Sequence, residues 1–298
     1  MKIKACIKSM RLRTLPLSLS GIIIGTVFAS RRCATDWTVV ITLVATTILL
    51  QILSNLSNEL GDTLHGTDSG DERLGMHYSI MDGEMTIGEM KRLIGIIACL
   101  CCISGLLMVL ASFKTLLSPA PLLFLALGAA AIWAAMHYTL GDNPYGYKGL
   151  GDIFVFIFFG LATTAGGAYL CSHAFEALWL LPASAIGCFS VGVLNVNNIR
   201  DMKTDARTRS TVALKLGIRN ARIYQTILIV SGWILMLLYT ILDGGNAASF
   251  LYVLTLPLFI LHLRGVWTRE DRDLDPMLPL LVMSTFALAL LSAAGAAI

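Results

Sequence analysis

The sequence predicts an all-α, polytopic membrane protein, with about nine transmembrane helices arranged around a central cavity open to the cytoplasmic side. Apolar residues make up 56% of the 298-residue chain and charged ones 14%, with a mean hydropathy of +0.75, well outside the soluble range. Apolar runs long enough to cross about 30 Å of hydrocarbon at about 1.5 Å per residue recur along it, and helices satisfy their own backbone polar groups there. Nineteen of the 22 Lys and Arg residues fall in segments that such a count puts on one side of the membrane.

The expected spans are Leu15–Ser30, Thr38–Ser57, Leu93–Ser112, Pro119–Leu140, Leu150–Leu170, Leu178–Asn198, Ile223–Leu242, Phe250–Leu263 and Met277–Ile298. Only Arg31, Arg32 and Lys114 fall opposite the amino terminus, so the positive-inside rule sets the amino terminus in the cytoplasm and the carboxyl terminus outside. The first eight residues, Met1 to Lys8, contain no small-residue cleavage site, which makes the first apolar run a retained span. The chain reads as one domain, 1–298, with two similar helical halves, about 10–142 and 143–265, and a final helix 277–298.

A net charge of +3 is too small to suggest nucleic acid as a partner, and its one-sided distribution is explained by insertion and by membrane lipid headgroups. The seven cysteines (Cys6, Cys33, Cys99, Cys101, Cys102, Cys171, Cys188) lie mostly within apolar runs without zinc-site spacing and read as packing residues. Of the five histidines only His65 falls beside a candidate site.

Two clusters of acids and amides stand out, Asn55 to Asp62 after the second span and Asn197 to Asp205 after the sixth. Four spans separate them, so both emerge on the same face. Desolvating carboxylates beside a bilayer is costly, so paired clusters point to a ligand. On a continuous helix Asn198, Asp201 and Asp205 share one face, as do Asn58 and Asp62. Gly61 and Gly66 are expected to let the chain unwind so that Asp68 turns back toward the same ion. An oxygen-only donor set suits Mg2+, and Arg200, Lys203, Arg207, Arg209 and Lys215 around the second cluster suit a polyanion. Two facing half-sites would clamp one diphosphate through magnesium. Glu84 and Glu89 read instead as solvated surface.

These residues resemble a family. Asn58-Glu59-Leu60-Gly61-Asp62 with Gly66 and Asp68, then Asn198-Ile199-Arg200-Asp201 with Asp205 and Thr211, are similar to the two aspartate motifs of the UbiA superfamily of intramembrane aromatic prenyltransferases. Arg11 to Pro16, Tyr138, Gly141 to Asp152 and Gly166-Gly167 resemble its 1,4-dihydroxy-2-naphthoate branch in menaquinone biosynthesis. Two departures stand out: Glu59 where Asp is usual, and a second segment one residue shorter, in which Thr208-Arg209 replaces Gly-Lys.

The resemblance implies Mg2+-assisted transfer of a polyprenyl chain from polyprenyl diphosphate to 1,4-dihydroxy-2-naphthoate, with loss of carbon dioxide and diphosphate, giving demethylmenaquinol, the reduced form of demethylmenaquinone. Asn58, Asp62, Asp68, Asn198, Asp201 and Asp205 are then the catalytic metal–diphosphate ligands. Arg11, Lys148, Arg200 and Arg209 are the candidate phosphate contacts, and Tyr138, Tyr145 and Tyr147 are candidates for cation stabilisation or acceptor positioning. Other acceptors, 4-hydroxybenzoate or homogentisate, fit the spacing equally well. A cation or proton transporter is the alternative of another class, disfavoured because the carboxylates gather at one face with no relay across the bilayer.

Overall fold

The computed structural model describes residues 3–66, 79–206 and 208–298. Among these there are no strands, and nine helices are long and apolar enough to cross a membrane: α1 (Ile3–Ser30), α2 (Trp37–Leu64), α3 (Ile87–Phe113), α4 (Pro119–His137), α5 (Gly151–Ser172), α6 (Ala177–Arg200), α7 (Val212–Leu242), α8 (Ala247–Thr268) and α9 (Asp271–Ala296). The number agrees with the sequence, and the departures lie at the ends.

Helix starts follow local chemistry. The Asp36 carboxylate accepts from the Thr38 amide at 2.9 Å to open α2, and Thr86 and Glu89 form a reciprocal capping box at α3. Thr211 opens α7 by accepting from the Leu214 amide at 3.3 Å, so this motif residue has a capping role. Six residues on, Gly217, at φ 74°, breaks the second turn of α7 in a conformation that favours glycine. In α1 the break falls at Arg11, which is left-handed at φ 48°.

Helix α2 continues seven residues past the expected Ser57, through Leu64, so Gly61 does not unwind the chain. A Cβ at Gly61 would lie 2.5 Å from the Thr139 side chain, and close approach of the 138–140 segment is what the glycine permits. At the second cluster α6 ends at Arg200, and a separate short helix, Met202–Asp205, follows Asp201. Asn198 and Asp205 therefore do not share one continuous helix.

The bundle closes around α1, which touches α2, α5, α6 and α9. Helix α6 packs between α5 and α7, while α2, α3 and α4 form the other wall. In lipid the packing force is close van der Waals contact, favoured by small residues. A Cβ on Gly25 would lie 2.4 Å from the Thr164 carbonyl oxygen, and one on Gly160 would lie 2.6 Å from the Gly187 Cα. The middle of α5, Phe156–Gly166, is π-helical. A core containing Phe28, Trp179, Phe189, Trp233 and Phe259 fills the space between α1 and α6 to α9.

The three cations opposite the amino terminus are each paired with an acid: Arg31 with Asp243, Arg32 with Glu176 at 2.5 Å, and Lys114 with Asp36 at 3.7 Å. That side carries little unbalanced positive charge from them.

Gly25→Val forces a side chain into the α5 backbone, and overpacking of this kind costs about 1–3 kcal/mol. The expected result is a lower melting temperature in detergent, read by scanning fluorimetry. Gly95→Ala on α3, where a Cβ meets nothing within 4 Å, is expected to leave it unchanged or raised.

Candidate active site

The helices surround a cavity of about 760 Å³ whose mouth is built from the two acid-and-amide clusters. On α2 the lining follows a helical stripe: Asp62, Asn58, Asn55 and Gln51, then Thr47 and Leu43. Polarity falls along this stripe from carboxylate to amide to hydroxyl to hydrocarbon. Asn198, Asp201 and Asp205 line the facing wall.

The two clusters meet through Arg209. Its Nη2 donates to Asp62 Oδ1, its Nε lies 3.6 Å from Asp205 Oδ1, and its guanidinium carbon sits 4.6 Å from the centre of the Tyr147 ring. The Tyr147 hydroxyl donates to the same Asp62 oxygen at 2.9 Å. Burial alone would lower the pKa of Arg209, but Asp62 and then Asp205 outweigh it and hold it above the ordinary value. The loop is fixed as well as charged, since the Ser210 amide donates to the Tyr147 carbonyl at 2.8 Å and Lys215 Nζ to the Lys148 carbonyl at 2.9 Å.

Arg200 is occupied in another way. Its Nε and Nη2 hold both Asp201 oxygens at 2.8 and 2.6 Å, Nη1 reaches Asp275 Oδ1 at 2.8 Å, and Nη2 also reaches Asn197 Oδ1 at 2.9 Å. It orients Asp201 and ties the end of α6 to α9. Asn58 Oδ1 accepts from the Thr139 hydroxyl at 3.3 Å, which orients the amide and leaves the second lone pair of that oxygen for another partner. Glu59 points the other way: it is fully buried, takes the Ile80 amide on Oε1 at 3.1 Å, and does not line the cavity. The Glu-for-Asp departure therefore lies outside the cavity wall.

Asn58, Asp62, Asn198, Asp201, Asp205, Arg11, Arg200, Arg209, Tyr138 and Tyr145 all line one cavity. Tyr147 supports Asp62 without lining it. Lys148 has an exposed side chain outside the lining. Asp68 and Arg207 lie outside the described residues.

Two features escaped the sequence reading. Tyr145 stacks on Phe154 at 4.0 Å, and Phe154 lies 6.2 Å from Phe158, so aromatic faces run inward along α5; the four-residue spacing of the two phenylalanines was the available signal. Ser18, Gln51 and Asn55 form a hydrogen-bonded chain joining α1 to α2, with Ser18 to Gln51 at 2.5 Å and Gln51 to Asn55 at 3.1 Å.

No group of three or more His, Cys, Asp or Glu that could cage a metal occurs among the described residues. The donors are nonetheless all oxygens, with carboxylates on both walls of one cavity. That fits Mg2+, which binds through one or two carboxylates, waters and substrate phosphates rather than an all-protein cage.

Fold and cavity together define an integral membrane protein built to hold an amphipathic anion, its charged head at the mouth and its apolar part among the helices. The chain belongs to the UbiA prenyltransferase family, whose profile matches residues 18–285, and is a prenyltransferase. It is 38% identical over 275 residues to the 1,4-dihydroxy-2-naphthoate octaprenyltransferase of Escherichia coli K12, covering 92% of this chain and 87% of that one. It is 33% identical to the protein of the same name from Haemophilus influenzae, covering 99% and 96%. The structure of a UbiA homologue from Aeropyrum pernix K1 shares the fold at a TM-score of 0.71 and 15% identity, covering 94% of this chain and 97% of that one.

If Arg209 joins the clusters energetically, a double-mutant cycle of Asp62→Asn and Arg209→Gln, followed by thermal unfolding, gives a coupling of about 1–3 kcal/mol. Additive effects would mean that the contact contributes nothing.

Proposed function

We propose that this chain transfers a polyprenyl group from polyprenyl diphosphate to 1,4-dihydroxy-2-naphthoate, with loss of carbon dioxide and diphosphate. The observation carrying this reading is the arginine-bridged meeting of Asp62 and Asp205 at the mouth of a cavity that turns apolar with depth. The E. coli and H. influenzae relatives, both 1,4-dihydroxy-2-naphthoate octaprenyltransferases by name, support the choice of acceptor.

The diphosphate lies between the two walls, with Arg209 and Arg11 toward its oxygens. Asp62, Asp201 and Asp205, with the Asn58 and Asn198 amide oxygens, would hold Mg2+, which neutralises charge on the departing diphosphate. Diphosphate binding would exchange partners: Arg209 would turn from carboxylate to phosphate and leave the carboxylates to a cation, so few buried charges would be left unpaired. Breakage of the C1–O bond sends its electron pair to the diphosphate, and the Tyr138, Tyr145 and Phe154 faces flank the allylic cation. The ring carbon bearing the carboxylate attacks C1. Carbon dioxide then leaves, and the electron pair of its bond restores the aromatic ring. The apolar interior keeps water from the cation. Membrane insertion puts the mouth and amino terminus in the cytoplasm and the carboxyl terminus outside, following the distribution of Lys and Arg.

Purified protein in detergent is expected to prenylate 1,4-dihydroxy-2-naphthoate only with Mg2+, as followed by mass spectrometry. Asp62→Asn and Asp201→Asn each lower kcat/KM by about 100-fold or more, the scale for losing a preorganised charge contact. Full activity in both variants, or product from 4-hydroxybenzoate alone, would refute the reading. For orientation, a carboxyl-terminal alkaline phosphatase fusion is expected to be active in cells and an amino-terminal one inactive.

A further inference from the structure

The cavity continues well past the residues that handle charge, to an end walled by hydrocarbon. Ile22 of α1, Leu43 of α2, Met108 of α3, Phe124 of α4 and Leu170 of α5 line that end. Behind them Phe113 and Tyr169 flank Phe124, the Phe124 and Tyr169 rings stacked at 5.6 Å and 14°, with Phe113 5.8 Å from Phe124. Ser112 donates to the Leu170 carbonyl at 2.6 Å and holds α3 to α5 at this level.

One wall of the channel is smooth. Helix α4 presents Gly128, Ala131 and Ala135 to the cavity, and a Cβ at Gly128 meets no atom within 4 Å. This glycine is unlike Gly25, Gly160 or Gly187, which are filled by neighbouring helices. Space is left open at Gly128 inside the cavity, one helical turn before Phe124.

We propose that Gly128 and Phe124 set which donor lengths the enzyme accepts, Gly128 by leaving the tail channel open and Phe124 by ending it. This rests on the prenyl-transfer reading above. From Tyr138 at the mouth, Gly128 lies ten residues and Phe124 fourteen residues inward, about 15 and 21 Å along the helix. An extended isoprenoid repeat spans about 5 Å, from four carbon–carbon bonds of about 1.5 Å in zigzag. A three-unit tail therefore ends near Gly128, and longer tails must pass it and meet Phe124.

The test is a donor series from geranyl to nonaprenyl diphosphate, with one acceptor and kcat/KM measured for each length. Gly128→Phe is expected to lower the octaprenyl-to-farnesyl ratio by about tenfold or more, as a blocked hydrophobic pocket discriminates by size. Phe124→Ala is expected to raise the ratio of nonaprenyl to farnesyl. Gly128→Leu should fall between wild type and Gly128→Phe, and retained turnover of farnesyl diphosphate reports that the variants fold. Loss of equal size at every length, or an unchanged profile in both Gly128→Phe and Phe124→Ala, would overturn the proposal, the latter meaning that the tail leaves sideways into lipid. A wild-type enzyme that prenylates no aromatic acceptor at any length would instead remove the underlying reading.

Discussion

The site depends on one buried ion-pair arrangement, Arg209 held between Asp62 of α2 and Asp205 beyond α6. A guanidinium largely removed from water is tolerable only where carboxylates repay its lost hydration, so neither acid nor arginine can move alone without stranding a charge. The consequences spread through the loops. With Arg209 fixed, Ser210 reaches the Tyr147 carbonyl, Lys215 reaches that of Lys148, and Tyr147 returns to Asp62. The mouth of the cavity is thus a closed polar lattice made of three separate stretches of chain.

Below the mouth a different force takes over. Interhelical packing in lipid gains little from hydrophobicity, because the tails outside are as apolar as the side chains inside. The scaffold relies on backbone proximity, with Gly21 and Gly25 of α1 against Thr163 and Thr164 of α5, and Gly160 of α5 against Gly187 of α6. The π-helical stretch of α5 lies in this tightest region, where a wider turn alters which residues face the cavity. Phe158, Phe159, Ala162 and Thr163 all reach the lining from it.

Much of the site was legible because it obeys periodicity. Asn58 and Asp62 lie four apart on one stripe and line the cavity together, while Glu59, one residue on, is turned into the protein by the same geometry. Partnership was not legible. Arg200 and Arg209 read alike in sequence, yet one clamps the acid beside it and the other bridges to an acid 147 residues away. Gly61 was misread because a glycine permits both unwinding and close approach, and only the position of Thr139 decides between them. The broken helix after Arg200 and the π-helix of α5 have no compositional marker, since both arise from what the neighbouring elements need.

The same distribution of polarity bears on the transporter alternative. A conduction path needs groups that can carry charge from one face to the other. Here the Asp and Arg residues lining the cavity, among those described, cluster at the mouth: Asp62, Asp201, Asp205 and Asp275 with Arg11, Arg13, Arg200 and Arg209. Inward, the wall passes through amides and hydroxyls to Leu43, Met108, Leu170 and the Phe124 ring. An ion entering such a channel would lose its partners with each turn of α2 and meet a hydrocarbon wall. An amphipathic molecule entering it finds charge partners for its head and a dry interior for its tail, which is the distribution that prenyl transfer requires.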